Sequence, residues 1–271
     1  MCDFQTSTFL RRRFVLRSLF VALLVGCVAS SVVAQFAPDA QKMLAESDSI
    51  RSPSKPFVLN AELSEYRAGK QVDGNSLQIF SKPDEGGSTF RTLVRFEAPA
   101  RDVGKLMLKN GNDLWFYDPA SQASVRISPD QRLLGQQSNG DVVTTNFSHD
   151  YTATLKGTED VMDGDHQTRR CNLLSLVGNA PDLTYKRIEM WLDAQSNRPV
   201  KAKFYSESDH LLKTAFYRGY TPQLGNVRPT EVVIIDGLDP GWVTVMRSNY
   251  AWREIPDAWM QRDYLPRFKS Q

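Results

Sequence analysis

The amino-acid sequence predicts a mainly β protein built on one large antiparallel sheet. From Phe57 onward, apolar and polar residues alternate with a period of two for almost the rest of the chain, as in strands that bury one face. Turn-forming pairs such as Asn110-Gly111 and Asp163-Gly164 separate these runs. Hydrophobic residues make up 41% of the 271 residues, which is enough for a packed core and excludes a wholly disordered chain.

One helix is expected before the sheet and a second within it. Residues 39–50 repeat with the helical period and place Met43, Leu44 and Ser47 on one face. A second helical stretch is expected at Pro129–Leu134. The alternating runs predict strands at residues 57–64, 77–79, 90–96, 105–109, 114–117, 125–127, 151–155, 170–177, 185–192, 200–205, 211–217, 230–235 and 243–250.

About a dozen strands joined by short turns predict a single domain of residues 35–271. An open twisted sheet rarely exceeds ~10 strands without curling, so this sheet is expected to curl or close. Its apolar face needs a cover, which helices, a second layer of sheet or a ligand would supply.

The first 34 residues are expected to be an export signal. Arg11–Arg13 precede an apolar run from Leu19 to Val33, and Ala34 is small enough for cleavage before Gln35. The alternative is an N-terminal membrane anchor, but the run is shorter than the ~20 strongly apolar residues that a spanning helix needs. The mature protein is therefore expected in the periplasm.

Two features of this leader leave alternatives open. The sequence Leu24-Val25-Gly26-Cys27 resembles a bacterial lipobox, in which case the protein would be lipid-anchored through Cys27. Arg12-Arg13 loosely resembles a twin-arginine signal, so the export route is not decided.

Charge and cysteine content exclude other classes. The chain carries a formal net charge of +2, but the leader holds +3 of it and the remainder is −1, so no nucleic-acid partner is expected. Beyond the leader, Cys171 is the single cysteine, so no internal disulfide is possible. It lies in a strand-like run and is expected to be a buried, inert thiol.

The sequence predicts neither catalytic residues nor a cofactor. Ser52-Pro53-Ser54-Lys55 matches a Ser-x-x-Lys pattern, but prolines flank it and the partner motifs are missing, so a loop is expected. His149, His166 and His210 each lie beside an acid in a turn-like stretch, so no metal site is expected. The acidic run at residues 159–165 lacks the spacing of a calcium loop and is expected to be a hairpin tip.

Several motifs together resemble a known group of exported proteins. As a set they are similar to the outer membrane lipoprotein-sorting proteins, which are relatives of the LolA and LolB carriers, over roughly residues 36–268. The motifs are Leu114–Pro119, Val125–Ser128, Gln131–Asp141, Asp150-Tyr151, Trp191, Arg198–Ala202, Leu211–Ala215 and Arg228–Thr230.

The resemblance implies a curved, incompletely closed antiparallel β-barrel with a few short helices covering its concave face. It also implies a non-enzymatic periplasmic carrier that binds lipid or lipoprotein acyl chains in a hydrophobic cavity and sorts them towards the outer membrane. The implied partners are a lipid or an acylated lipoprotein, and an inner-membrane transporter or export system.

The alternation of apolar residues gives candidates for such a cavity, which would equally suit a dry core. They are Leu106, Leu108, Ile188, Met190, Val200, Ala202 and Phe204. The alternative function is a cell-envelope scaffold or assembly factor with a self-filled core and a protein partner. An enzyme with a lipid substrate ranks third, because no nucleophile–base pair can be assembled from the sequence.

Overall fold

The computed structural model of this protein describes residues 39–134 and 137–269. The expected signal peptide, its cleavage site after Ala34 and the alternative anchor residue Cys27 lie outside the described residues. Within the described ranges, none of the helices has both the length and the hydropathy that crossing a membrane requires.

Strands dominate the described residues. The strands are β1 Phe57–Arg67, β2 Lys70–Pro83, β3 Phe90–Ala98, β4 Leu106–Asn110, β5 Asp113–Asp118, β6 Ala123–Arg126, β7 Arg132–Leu134, β8 Gln137–Ser138, β9 Tyr151–Met162, β10 Thr168–Gly178, β11 Arg187–Asp193, β12 Pro199–Tyr205, β13 Leu211–Gln223, β14 Asn226–Asp236 and β15 Trp242–Trp252. The helices are α1 Ala40–Arg51, α2 Asn139–Val142, α3 Phe147–Asp150, and the 3-10 turns Asp257–Met260 and Arg262–Arg267.

Thirteen of the strands in the described ranges form one antiparallel sheet of order β6-β5-β4-β3-β2-β1-β15-β14-β13-β12-β11-β10-β9. Two meanders, β1 to β6 and β9 to β15, meet where β1 pairs with β15 from Phe57↔Trp252 to Arg67↔Trp242. The edge strands β6 and β9 do not pair with each other, so the sheet stays unclosed. The expected curved, incompletely closed antiparallel barrel with a few short helices is confirmed.

Both faces of the first meander are apolar, and a different part of the chain covers each of them. Side chains alternate along a strand, so Phe57 and Leu59 join the inner core while Val58 packs on the outer face. The two C-terminal 3-10 turns cover that outer face, with the Trp259 ring 5.3 Å from the Phe80 ring.

The connection between β6 and β9 covers the inner face. These two strands are the opposite edges of the sheet, so the connection, described at residues 127–134 and 137–150, links one edge to the other. The connection contains the small β7–β8 pair, α2 and α3, and its Val142 and Phe147 are buried in the inner core. The connection therefore links the two edge strands through packing on the inner face, although the strands themselves do not pair.

Helix α1 completes this cover and also protects a strand edge. Asp39 caps the helix by accepting the backbone N–H of Gln41 at 2.9 Å. The Gln41 side chain donates to the Tyr151 carbonyl at 3.0 Å and accepts the Ala153 N–H at 2.9 Å. The Gln41 side chain thus bonds backbone groups at the start of β9 that would otherwise pair with a neighbouring strand.

A buried arginine holds the other end of α1 on the sheet. Arg228 of β14 is 4% exposed and donates Nη1 to the carbonyls of Ser49 (3.0 Å) and Ile50 (2.6 Å). Its Nε donates to the Gln223 carbonyl at 3.1 Å. A cation at a helix C-terminus satisfies carbonyls that have no partner in the helix, so this contact fixes where α1 ends.

Most local predictions hold, but the hairpin tip expected at residues 159–165 lies at Asp163–Gln167 instead, because residues 159–162 pair with β10 as the end of β9. The expected helix at Pro129–Leu134 is wrong, because Arg132–Leu134 forms β7 and satisfies its backbone by pairing with Gln137–Ser138. The hairpin expected at Asn110-Gly111 is present as a two-residue loop with Gly111 at φ +58°, a conformation that glycine adopts without strain. Cys171 is fully buried, as expected, and burial raises the pKa of its thiol to about 11.

Candidate functional site

A cavity of about 430 Å³ lies on the inner face of the sheet. Inward residues of β1, β4, β5 and β12 to β15 form its walls, and the end of α1, residues 137–151 and residues 179–185 cover it. Small-molecule pockets typically measure roughly 300–1,000 Å³, so the space suits a ligand. Its deep part is apolar and is lined by Phe57, Leu59, Leu114, Val142, Phe147, Phe204, Ala215, Ile234 and Met246.

A buried tyrosine pair crosses the cover of this cavity. The Tyr151 hydroxyl donates to the Tyr185 carbonyl at 3.0 Å. The Tyr185 hydroxyl donates to Oδ1 of Asp141 at 2.9 Å and lies 3.3 Å from Oγ of Ser138. Burial raises the pKa of both tyrosines, so both phenols stay protonated near neutral pH and act as hydrogen-bond donors.

The same aspartate joins the cover to the sheet through a buried ion pair. Lys213 of β13 is 3% exposed, and its Nζ contacts Oδ2 of Asp141 at the start of α2. The ammonium also lies 4.7 Å from the Tyr185 ring centre and 5.0 Å from that of Phe204. Burial lowers the pKa of Lys213, while Asp141 opposes that shift. The pair is a cross-link between α2 and the cavity wall.

A glycine allows α2 to approach the rest of the cover this closely. A Cβ at Gly140 would lie 2.2 Å from Oγ1 of Thr184 and 3.1 Å from the Pro129 carbonyl oxygen. The Gly140 N–H donates to that same carbonyl at 2.8 Å. Any side chain here would separate α2 from residues 179–185 and open the cavity.

Two buried polar atoms of the lining lack partners within the described residues. One is Nε of Arg51, whose guanidinium lies 4.0 Å from the Phe147 ring centre and whose Nη2 pairs with Asp48. The other is Oε1 of Gln137, a residue that is 2% exposed. A buried polar atom without a partner is costly, so these atoms favour a hydrogen-bonding group inside the cavity.

The rim of the cavity is polar. Its exposed lining residues are Gly111, Asn112, His149, Asn179 and Asp182. Nδ1 of His149 contacts Oδ1 of Asp150 at 2.9 Å. Across the parts of the chain that the structure describes, no three His, Cys, Asp or Glu side chains converge into a group that could hold a metal ion.

The structure separates the seven residues that alternation suggested for a cavity. Phe204 lines the cavity, and Ile188, Met190 and Ala202 pack in the same inner core cluster without bordering the open space. The other three lie elsewhere. Leu106 and Leu108 are buried on the outer face under the C-terminal turns, and Val200 packs with Cys171 and Trp191.

Sequence reasoning missed the polar residues of the site. Asp141 and Lys213 lie 72 positions apart, and nothing in the local pattern pairs them. Lys213 occupies an inward position of β13 in phase with Ala215 and Tyr217, and a lysine at an apolar-face position is a usable signal of a buried charge.

Breaking the Asp141–Lys213 pair is expected to destabilise the protein. Lys213→Met should lower the free energy of unfolding by about 3 kcal/mol or more, because it leaves the Asp141 carboxylate buried without its cation. The double variant D141N/K213M should recover part of that loss. Urea denaturation measures both, and Lys105→Met, which removes a more exposed pair with Asp102, should cost about 1 kcal/mol or less. A Lys213→Met cost equal to that of the control would contradict a structural cross-link.

Comparison with known proteins places this fold. A family described as "-like: Uncharacterized protein" matches residues 88–267. None of the curated proteins is significantly similar to the chain. The crystal structure of a LolA superfamily protein from Nitrosomonas europaea shares 33% sequence identity over 84% of this chain and 100% of its own, with a TM-score of 0.75.

Two more distant crystal structures share the fold. A DUF1329 family protein from Desulfovibrio piger is 23% identical, covers 83% of this chain and 97% of its own, and has a TM-score of 0.71. A Vibrio parahaemolyticus domain named for outer membrane lipoprotein sorting is 17% identical, covers 84% and 98%, and has a TM-score of 0.69. Because the Nitrosomonas protein is matched over its whole length at 33% identity, this chain belongs to the LolA superfamily.

Proposed function

We propose that this protein is a non-enzymatic periplasmic carrier that holds lipid or lipoprotein acyl chains in its inner cavity and delivers them towards the outer membrane. The proposal includes export by the leader, with cleavage after Ala34 or acylation at Cys27. It also includes an inner-membrane transporter or export system as the source of the cargo.

The observation that carries the proposal is the apolar cavity beneath a cover of short elements. Burial of each methylene contributes about 0.8 kcal/mol, so ten buried methylenes contribute about 8 kcal/mol. A dissociation constant of 1 μM corresponds to about 8.2 kcal/mol, and binding also has ordering costs. An acyl chain somewhat longer than ten carbons would therefore bind with a dissociation constant of about 1 μM, which still allows release.

The cover also suits loading and release. Helices α2 and α3 have four residues each, and neither length is stable as an isolated helix. They are held by a few named contacts, such as the Tyr185 and Lys213 bonds to Asp141 and the Asp48 carboxylate, which accepts the Ser148 N–H at 2.6 Å. Displacing such a segment costs less than opening the sheet, so acyl chains would enter beneath it.

The first test is native mass spectrometry of protein purified from the periplasm, followed by organic extraction. The proposal expects a bound lipid in near-stoichiometric amount, and the extract identifies its class. A protein that is empty, takes up no fluorescent fatty-acyl probe and co-purifies with a stable protein partner would favour the scaffold alternative instead.

A substitution that fills the cavity should reduce binding. Val232 is half-buried on β14 and lines the cavity. Val232→Trp should weaken binding of a fluorescent fatty-acyl probe about tenfold or more, because space for two methylenes already corresponds to that factor. Fluorescence titration measures the effect.

The neighbouring residue supplies the control. Val233 lies on the same strand and faces the other side of the sheet, so Val233→Trp should leave the probe affinity within about twofold of wild type. Equal weakening by both substitutions would show that the effect is a general disturbance of β14 and would count against binding in the cavity.

A further inference from the structure

Lys109 is a cation of the cavity lining that has no ion-pair partner among the described residues. Lys109 lines the cavity from β4, two residues before Gly111 at the rim. It is half-buried, and its side chain forms no hydrogen bond or ion pair with the described residues. The other two cations of the lining are paired, Arg51 with Asp48 and Lys213 with Asp141.

The strand pattern explains why this ammonium faces inward. Met107 belongs to the inner core cluster and Leu108 to the outer one, so Lys109 returns to the inner face. The residue paired with it on β3 is Thr92, which is fully buried. Lys109 therefore extends from a buried strand into the space just inside the rim.

Hydroxyl groups surround this part of the wall. Oγ1 of Thr92 accepts the Thr144 N–H at 3.3 Å, and the Thr144 hydroxyl lies 2.5 Å from that of Ser81. Thr89 and Thr144 line the cavity together with Lys109. We call Thr89, Lys109 and Thr144 the polar corner. The rest of the interior is mainly apolar, so the cavity is itself amphipathic.

Among the described residues, no carboxylate lies within ion-pair distance of the Lys109 ammonium. Burial lowers the pKa of Lys109, and the carboxylates of Asp150 and Asp182 oppose that shift from a distance. Asp150 already contacts His149, and Asp182 is exposed at the rim. An anionic group within hydrogen-bond distance of Nζ would restore the stabilisation that burial removes.

We infer that Lys109 is a headgroup site, and that the cargo is an amphiphile whose carboxylate or phosphate pairs with this ammonium while its acyl chain fills the apolar interior. The inference rests on the proposed carrier function and adds the chemical class of the cargo. A neutral lipid would leave the Lys109 ammonium without a counter-ion and would bind more weakly.

The test compares two probes that differ only in charge, cis-parinaric acid and its methyl ester. Wild-type protein should bind the acid about tenfold or more tightly than the ester, because a charge-assisted hydrogen bond in a shielded site is worth at least that factor. Lys109→Met should bind both probes with the affinity that wild type shows for the ester. Lys109→Arg should keep the preference for the acid.

A charge-matched control and a competition arm complete the experiment. Lys156 is exposed on β9, so Lys156→Met should keep the wild-type preference. Competition by a lysophosphatidylglycerol and by a fatty acid of the same chain length distinguishes a phosphate from a carboxylate as the anion. Stronger competition by the phospholipid than by the fatty acid indicates a phosphate headgroup.

The outcomes separate the two proposals. If wild type binds acid and ester equally, or if Lys109→Met keeps the preference for the acid, the headgroup site is wrong while the carrier function stands. If wild type binds neither probe, the carrier function itself is contradicted. Loss of the neutral ester as well as the acid in Lys109→Met would show a general disturbance of the cavity and would count against a headgroup site.

Discussion

An unclosed sheet must cover its apolar inner face, and the rest of this structure depends on how it does so. The edge strands β6 and β9 follow one another in the sheet's chain order, and the connection between them packs on the inner face. That connection carries α2 and α3, and α1 packs beside it. The cover fills the space incompletely, and the cavity is what remains between it and the sheet.

Few polar contacts set the position of the cover. Arg228 fixes the end of α1, and Asp141 joins Lys213 of the wall to Tyr185 of the cover. Each of these contacts is buried, so it is strong only while both partners remain in place. The backbone pairing of the sheet does not involve these side-chain contacts.

The sequence alone predicts the strands of the sheet. It does not predict which apolar side chains lie on the inner face and which lie on the outer face. Alternation and turn residues predict the strands, and the helical period of residues 39–50 predicts α1. Alternation cannot tell the inner from the outer face where both are apolar, so it groups Leu106 and Leu108 with Phe204 although the C-terminal turns cover them. That cover comes from residues 257–268, some 150 positions further along the chain, and no local pattern reveals it.

The candidate site was less predictable than the fold, because it too depends on segments that are distant in the sequence. Its apolar lining comes from strands that the pattern identifies, but its polar groups depend on contacts between distant segments. Lys109 looks like an ordinary solvent-facing lysine of an alternating strand until the β6–β9 connection is placed above it. That Lys109 has no ion-pair partner among the described residues follows from the assembled fold.

The most direct test of this account is to map where a photoreactive fatty acid attaches to the protein. With a diazirine at the end of the acyl chain, peptide mass spectrometry should find the label on inward residues of β1, β14 and β15, such as Phe57, Ile234 and Met246. Labelling confined to exposed apolar residues such as Leu238, or to the outer face beneath residues 257–268, would contradict it.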